Sequence, residues 1–243
     1  MDEIVLRGKR ALVTGAAERV GRAIAVELAR AGMNLAVHTR HTPADDALGE
    51  IRALGVTAAL VRGDQSVDAA RIVSDAAAAL GGLDLLVCSA AAFAKAPAHE
   101  IDRATFDAMI AANLTGPFFL MQAAFRHLRA THGSVVNLVD LCGTTQVWKG
   151  YAHYAAAKAG LATLTRLLAL EWAPEVRVNA IAPGVALYPD AAPEEERERV
   201  TRRIPAGQPG TPEDIARTVR FLAAQPFITG QILVVDGGRS VNP

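Results

Sequence analysis

Short runs of apolar residues alternate along the chain with longer stretches in which apolar positions recur every three or four residues. The runs are RALVTG (10–15), MNLAVHT (33–39), TAALVRG (57–63), LDLLVC (83–88), GSVVNLV (133–139), VRVNAIA (176–182) and QILVVDG (231–237). They are apolar almost throughout rather than at every second position, as strands covered on both faces require. Between them the helical period predicts helices over roughly 19–31, 43–54, 66–81, 103–130, 151–173 and 211–224.

Strands separated by single helices predict a parallel sheet with helices on both faces. With right-handed crossovers this is an α/β fold, a Rossmann-like doubly wound parallel sheet of about seven strands. No internal repeat or shift of composition divides the chain, so a single domain over 1–243 is expected. The irregular stretch is 183–210, with Pro183, Pro189, Pro193 and Pro205 and the charge cluster EEERER at 194–199. The cluster predicts a short solvated helix, and residues 186–205 lie where a substrate lid would be placed.

Charge adds exclusions. Lys plus Arg and Asp plus Glu both number 25, and no basic stripe interrupts the balance, so a nucleic-acid partner is not expected. No stretch approaches 18 uninterrupted apolar residues, and the N-terminus runs straight into a strand without a secretory h-region, so neither a membrane partner nor secretion is expected. Cys88 and Cys142 form neither a disulfide framework nor a metal cluster; Cys88 reads as a buried thiol and Cys142 falls in a loop near the expected site. A cytoplasmic protein without a metal is the expectation.

The candidate chemistry begins at the first strand–helix turn, TGAAERVGRAIAVELARAG (14–32). A glycine turn here lets main chain approach a pyrophosphate, whose charge meets the helix N-terminus. The next strand ends in His38-Thr39-Arg40-His41-Thr42, with no acid before Asp45. An acid there would accept from the ribose hydroxyls of NAD; a guanidinium among imidazoles and hydroxyls suits the extra phosphate of NADP, so NADPH is expected. Asp64, followed by Gln65, reads equally as an acceptor for the adenine amino group or as the N-terminal cap of the next helix or a neighbour of that cap. In YAHYAAAK, Tyr154 and Lys158 stand four apart and share a helix face. A phenol of ordinary pKa near 10 works as an acid–base at neutral pH when a neighbouring cation favours phenolate.

Together these segments resemble the short-chain dehydrogenase/reductase family over nearly the whole chain. The resemblance rests on TGAAERVG (14–21), CSAA (88–91), Asn113, NLVD (137–140), Tyr154 and Lys158, Pro183-Gly184, and VDGG (235–238). It implies that Tyr154 donates the proton and that Lys158 holds the nicotinamide ribose. Asn113 would anchor a water relay, and Pro183 and Gly184 would border the nicotinamide. Gly15, Arg19, Val20, Ser89, Ala90 and Ala91 would line the dinucleotide. It also implies a homotetramer built on the helices at 103–130 and 151–173.

Three departures stand out. Arg19 replaces the usual middle glycine, Asp140 the usual serine beside the tyrosine, and Ser89 the usual asparagine. Arg19 and Asp140, with the His38-Thr39-Arg40-His41-Thr42 strand end and Phe93, look like the pteridine reductase branch. That resemblance implies hydride transfer to a pterin or dihydrofolate C=N bond, with Asp140 and Tyr154 delivering the proton. Phe93 would stack on the ring or close the sheet edge, and Arg19 would bridge pyrophosphate and pterin. The alternatives are a carbonyl or 3-oxoacyl thioester reductase, against which an Asp140 carboxylate opposing an oxyanion counts, and a non-catalytic NADPH-binding protein.

Overall fold

The computed structural model describes residues 6–188 and 193–242. Its elements are β1 (Arg10–Thr14), α1 (Arg19–Arg30), β2 (Asn34–Thr39), α2 (Asp45–Ala53), β3 (Ala58–Arg62), α3 (Ala69–Leu80), β4 (Leu85–Cys88), α4 (Arg103–Ile110), α5 (Gly116–Thr131), β5 (Ser134–Leu138), α6 (Ala152–Glu171), β6 (Arg177–Pro183), α7 (Glu194–Thr201), α8 (Pro212–Ala224) and β7 (Ile232–Val235). The seven strands form one parallel sheet in the order β3-β2-β1-β4-β5-β6-β7.

Alternation along the buried strands divides the core in two. Val13 of β1 and Val87 of β4 face the layer of α1, α2 and α8, where Ile24, Leu48 and Val219 are buried. Leu12 and Leu86, their neighbours, face the layer of α3, α5 and α6 with Ile72, Leu120 and Leu161. Fully burying a side chain of this kind stabilises the fold by about 1.5–3 kcal/mol, so these runs hold the sheet between its helices. Strand order reverses between β1 and β4, and there the carboxyl ends open a crevice for a ligand.

The helix expected over 103–130 is continuous but not uniform. Between α4 and α5, residues Ala111–Thr115 form a π turn. Pro117 at the start of α5 has no N–H to offer the Asn113 carbonyl, and widening the turn accommodates the lost bond. The stretch Arg103–Thr131 is long and apolar enough to cross a membrane by length and composition. Here it packs on α3 and α6 and against the sheet, which accounts for its apolar face. The charge cluster forms the exposed helix α7, as its composition predicts, and the middle of the expected lid, including Pro189, lies outside the described residues.

Candidate active site

The crevice at the switch point is a cleft of about 460 Å³. Its floor is the turn after β1. Gly15 has φ +65° and lies so near the segment after β4 that a Cβ would come 2.9 Å from Ala90 Cα. A Cβ on Gly21 would overlap the Gly15 carbonyl oxygen, so α1 can start this close to β1 only with glycine there. Arg19 keeps the left-handed backbone that glycine usually supplies, with φ +53°. Its side chain therefore rises at the mouth of the cleft without changing the path of the turn. The N-cap of α1, Glu18, places no side chain over the helix end, which leaves main-chain N–H groups for a phosphate.

Thr14 carries no mark of its role in the sequence. Buried at the end of β1, its Oγ1 accepts from both Ser89 N and Ala90 N at 3.0 Å and donates to the Val87 carbonyl. That hydroxyl binds the two sides of the crevice together across the β1–β4 gap, so the joint does not depend on the residue at 89. Ser89, Ala90 and Ala91 line the cleft beside Gly15 and Val20. Gln65 crosses beneath them, donating to the Ala90 and Ala112 carbonyls at 3.2 and 2.7 Å.

The β2 end of the cleft changes the sequence reading at His38, Thr39, His41 and Asp64. His38 lines the cleft but is buried, with Nε2 3.0 Å from the Gly63 carbonyl, and burial pushes its pKa down. It is a neutral strut between β2 and β3 and not a cation for a phosphate. His41 lies outside the cleft lining, and Thr39 spends its hydroxyl on the Thr42 carbonyl at 3.1 Å. Arg40 remains, exposed at the rim and paired with Asp64 Oδ2 at 3.1 Å. Asp64 is not the helix cap, a position Asp68 takes. Its Oδ1 accepts from Ser66 N and Oγ, bonds that hold the carboxyl below its ordinary range, and Arg40 takes the other oxygen. Pro183 and Gly184 lie apart from the cleft lining, at the end of β6.

The chemical centre sits where β5 ends. Tyr154 on α6 donates its hydroxyl to Asp140 Oδ2 at 2.8 Å, and Asp140 Oδ1 accepts from Cys142 N at 2.7 Å. Lys158, one turn further, is buried and donates from Nζ to the Leu138 carbonyl at 2.7 Å, with Nζ 5.7 Å from the centroid of the Tyr154 ring. Burial brings the ammonium down to about 8, against the opposing pull of Asp140. Burial raises the Asp140 carboxyl above its usual range. The phenol is raised as well, by burial first and then by the Asp140 charge. Burial and the hydrogen-bonded Asp140 carboxyl thus work against the phenolate that a neighbouring Lys158 favours.

Around this centre the aromatic residues form a row. Phe93 stacks on Tyr151 with centroids 4.8 Å apart and meets Tyr154 edge-on at 4.9 Å. Trp148 touches Tyr151 edge-on at 6.0 Å. Phe93 thus neither closes the sheet edge nor stands alone as a platform, since one face is covered by Tyr151. Asn113, in the π turn, donates to the Ala92 and Met109 carbonyls at 3.0 and 3.1 Å, which fixes the 89–93 segment; its Oδ1 is buried with no protein partner. Cys142 is buried and unbonded to Cys88.

A glycine turn at the switch point of a doubly wound sheet, opposite a Tyr–Lys–carboxyl centre, defines a nucleotide-dependent oxidoreductase. The chain belongs to the short-chain dehydrogenase/reductase family, whose members use an NAD(P) cofactor: a family model described as enoyl-(acyl carrier protein) reductase matches residues 15–240. It is 40% identical over 240 residues to the cis-4-hydroxycyclohexanecarboxylate dehydrogenase of Sinomonas cyclohexanicum, covering 94% of this chain and 95% of that one. It is 34% identical over 241 residues to a 3-oxoacyl-(acyl-carrier-protein) reductase of Rickettsia bellii, covering 97% and 98%. A crystal structure of a dehydrogenase/reductase from Sinorhizobium meliloti 1021 superposes with a TM-score of 0.91 at 35% identity, covering 98% of this chain and 97% of that one.

Proposed function

We propose that this oxidoreductase interconverts a secondary alcohol and its ketone on a small carbon skeleton, with NADP(H) as the preferred dinucleotide. The observation that carries the reading is the 2.8 Å hydrogen bond from the Tyr154 hydroxyl to a largely enclosed Asp140 carboxyl. An ionised carboxylate would oppose an oxyanion. A carboxyl whose pKa burial has raised is protonated at higher pH than an ordinary one, and is then a donor, doing what a hydroxyl does in that position.

In reduction the substrate oxygen sits at the Tyr154 hydroxyl, which gives up its proton while Asp140, protonated, resupplies it. Lys158 offsets the negative charge that passes through the phenol. In oxidation the same chain runs backwards, with ionised Asp140 drawing the proton from the alcohol through Tyr154. A nicotinamide dinucleotide in the cleft supplies or takes up the hydride. The groups there fit one: Gly15 and Gly21 keep the turn low enough for a pyrophosphate, and a Cβ at either would close it. Arg40 at the adenosine rim, with no acid closing β2, supports NADP(H) over NAD(H).

The names of the relatives favour this reading over pterin reduction, for they are named for a hydroxy acid and an oxoacyl substrate. The Asp140–Tyr154 bond also suits protonation of a ring nitrogen, so the pterin reading remains the second one. The test is turnover, followed by the absorbance of reduced dinucleotide. The panel is 4-hydroxycyclohexanecarboxylate, its ketone, cyclohexanone, an acetoacetyl thioester and dihydrobiopterin, each with both dinucleotides. Activity on an alcohol or ketone, with NADP(H) preferred, is expected. Activity confined to dihydrobiopterin would replace this reading with the second.

A further inference from the structure

Beyond the dinucleotide cleft and the proton relay lies a second cavity, of about 600 Å³, between residues 143–148 and the C-terminal turn beginning at Arg239. Its size is in the range of small-molecule sites. We propose that it seats a carboxylate carried by the substrate, with Arg239 as its ligand and Arg203 as a second positive charge. The inference rests on the alcohol–ketone reading for what the carboxylate is attached to.

The charge of the lining comes first. Arg203 and Arg239 are its ionisable residues, and no Asp or Glu lines it. Neither arginine is in an ion pair among the described residues. Asp236, the nearest acid in sequence, spends both oxygens on main chain, accepting from Gly238 N and Ser240 N. The groups that face Arg239 from the surrounding elements are Asp140, Tyr188, Asp236 and Arg203. Of these, Arg203 repels it, while Asp140 is already committed to Tyr154 and Cys142 N.

Arg239 is also preorganised. Its guanidinium lies over the Trp148 ring, 5.0 Å from the centroid. Gln146 locks this pair from behind: its Nε2 donates to the Arg239 carbonyl at 3.0 Å, and its Oε1 accepts from Trp148 Nε1 at 3.2 Å. A guanidinium seated over an aromatic face can keep N–H groups for an acceptor, and a carboxylate can meet such a fork with two parallel bonds. Such rigidity at a half-buried arginine lowers the entropy lost on binding an anion.

Position ties the cavity to the chemistry. The loop that walls it leaves β5 after Leu138, carries Asp140, and reaches α6 at its N-cap, Tyr151. Trp148 touches Tyr151, Tyr151 stacks on Phe93, and Phe93 meets Tyr154, so an apolar row joins the arginine to the proton donor. A substrate fitting this arrangement has a carboxylate at one end, a short apolar skeleton along the row and the reacting carbon at Tyr154. The class is an oxo or hydroxy acid with the two groups separated by the skeleton rather than on adjacent carbons.

The experiment is a titration of the enzyme–NADP+ complex with two non-reacting probes, cyclohexanecarboxylate and its methyl ester, by calorimetry and by the fluorescence of Trp148 and Trp172. Wild type should bind the acid at least tenfold more tightly than the ester. Arg239→Gln should weaken acid binding roughly 10- to 100-fold, the loss expected when a charged hydrogen-bonding partner is removed, and Arg203→Gln by a smaller factor. Equal affinity for acid and ester in wild type overturns the proposal. So does an Arg239→Gln enzyme that binds the acid as wild type does while its pH dependence shifts, which would make Arg239 an internal counter-ion of Asp140. If Arg239→Gln fails to fold, Arg239→Lys, which keeps charge but not the planar fork, and the wild-type acid-over-ester ratio decide it. No turnover enters the titration. Acid binding lost in Arg239→Gln, with no alcohol or ketone turned over, would sink the functional reading and leave the carboxylate seat standing.

Discussion

In the dinucleotide cleft the working surface is mostly main chain: two glycines, one left-handed arginine and an uncovered helix end, all within the turn from Gly15 to Gly21. At the chemical centre it is side chains, brought from the end of β5, from α6, from the segment after β4 and from the C-terminal turn. The first surface has the shape that a pyrophosphate, common to every dinucleotide, requires, and its close contacts leave little room for change. The second is a row of rings and charges on a common backbone, and single substitutions there can redirect specificity without disturbing the sheet. A fold with both can change substrate while keeping its cofactor.

The comparison breaks most visibly at Tyr154. Tyr154→Phe keeps the ring in its place between Phe93 and Lys158 and removes the hydroxyl. Turnover is expected to fall about 10³-fold, within the range for loss of a positioned proton donor, with the dinucleotide dissociation constant moving far less. Steady-state rates and titration of reduced-dinucleotide fluorescence read the two. A residual rate within tenfold of wild type would mean that Asp140 reaches the substrate itself.

Gly21→Ala attacks the other surface. The new methyl meets the Gly15 carbonyl, so α1 or the turn must move. Overpacking of this kind costs about 1–3 kcal/mol, and a turn displaced from the pyrophosphate is expected to lose at least tenfold in dinucleotide affinity. Thermal unfolding and calorimetric titration measure the pair, and the rate at saturating dinucleotide should fall less than the affinity. An unshifted affinity would show that the turn's height does not set binding.

Asp140→Ser sharpens the comparison through pH. In wild type, burial raises the Asp140 pKa above its ordinary 3.8. Reduction uses the protonated carboxyl, so its rate is greatest below that raised pKa and declines as pH rises through it. Oxidation uses the carboxylate and rises over the same interval. Serine does not titrate there, and both limbs should flatten in the variant, with turnover of ketones retained and protonation of a pterin nitrogen lost. Persistence of the acid limb in Asp140→Ser would assign it to another group.

These two surfaces were unequally legible. The strand runs and helix periods placed the seven strands and the main helices to within a few residues, because burial on both faces leaves a local signal. The glycine turn and the Tyr154/Lys158 spacing are local as well. The π turn was hidden, since Pro117 in an apolar stretch does not say how the ladder adjusts. Thr14 carries no local signal, because its partners, Ser89 and Ala90, are distant in sequence and adjacent only across the switch point. His38 looked like a phosphate ligand by its neighbours in sequence, but strand alternation turned it inward toward Gly63. Arg239 carried no signal at all: its meaning depends on Trp148 and Gln146, a contact between the loop after β5 and the end of the chain.

The smallest expected effect concerns the adenosine rim, and it tests whether cofactor choice belongs to the main-chain surface or to a side chain added to it. Arg40 is 64% exposed and already paired with Asp64 at 3.1 Å, so its attraction for a 2′-phosphate is screened by solvent and shared with an acid. Arg40→Ala is therefore expected to weaken NADPH about tenfold and to leave NADH affinity nearly constant. Asp64→Asn frees the guanidinium and should tighten NADPH by a few-fold, and both shifts should shrink as salt is raised. Titrations of the two dinucleotides at low and high ionic strength give the four numbers needed. If both variants leave the NADPH-to-NADH ratio unchanged, the side chain at the rim does not choose the cofactor. Discrimination would then lie in the turn after β1, where Arg19 stands above the same cleft in a backbone conformation made for glycine.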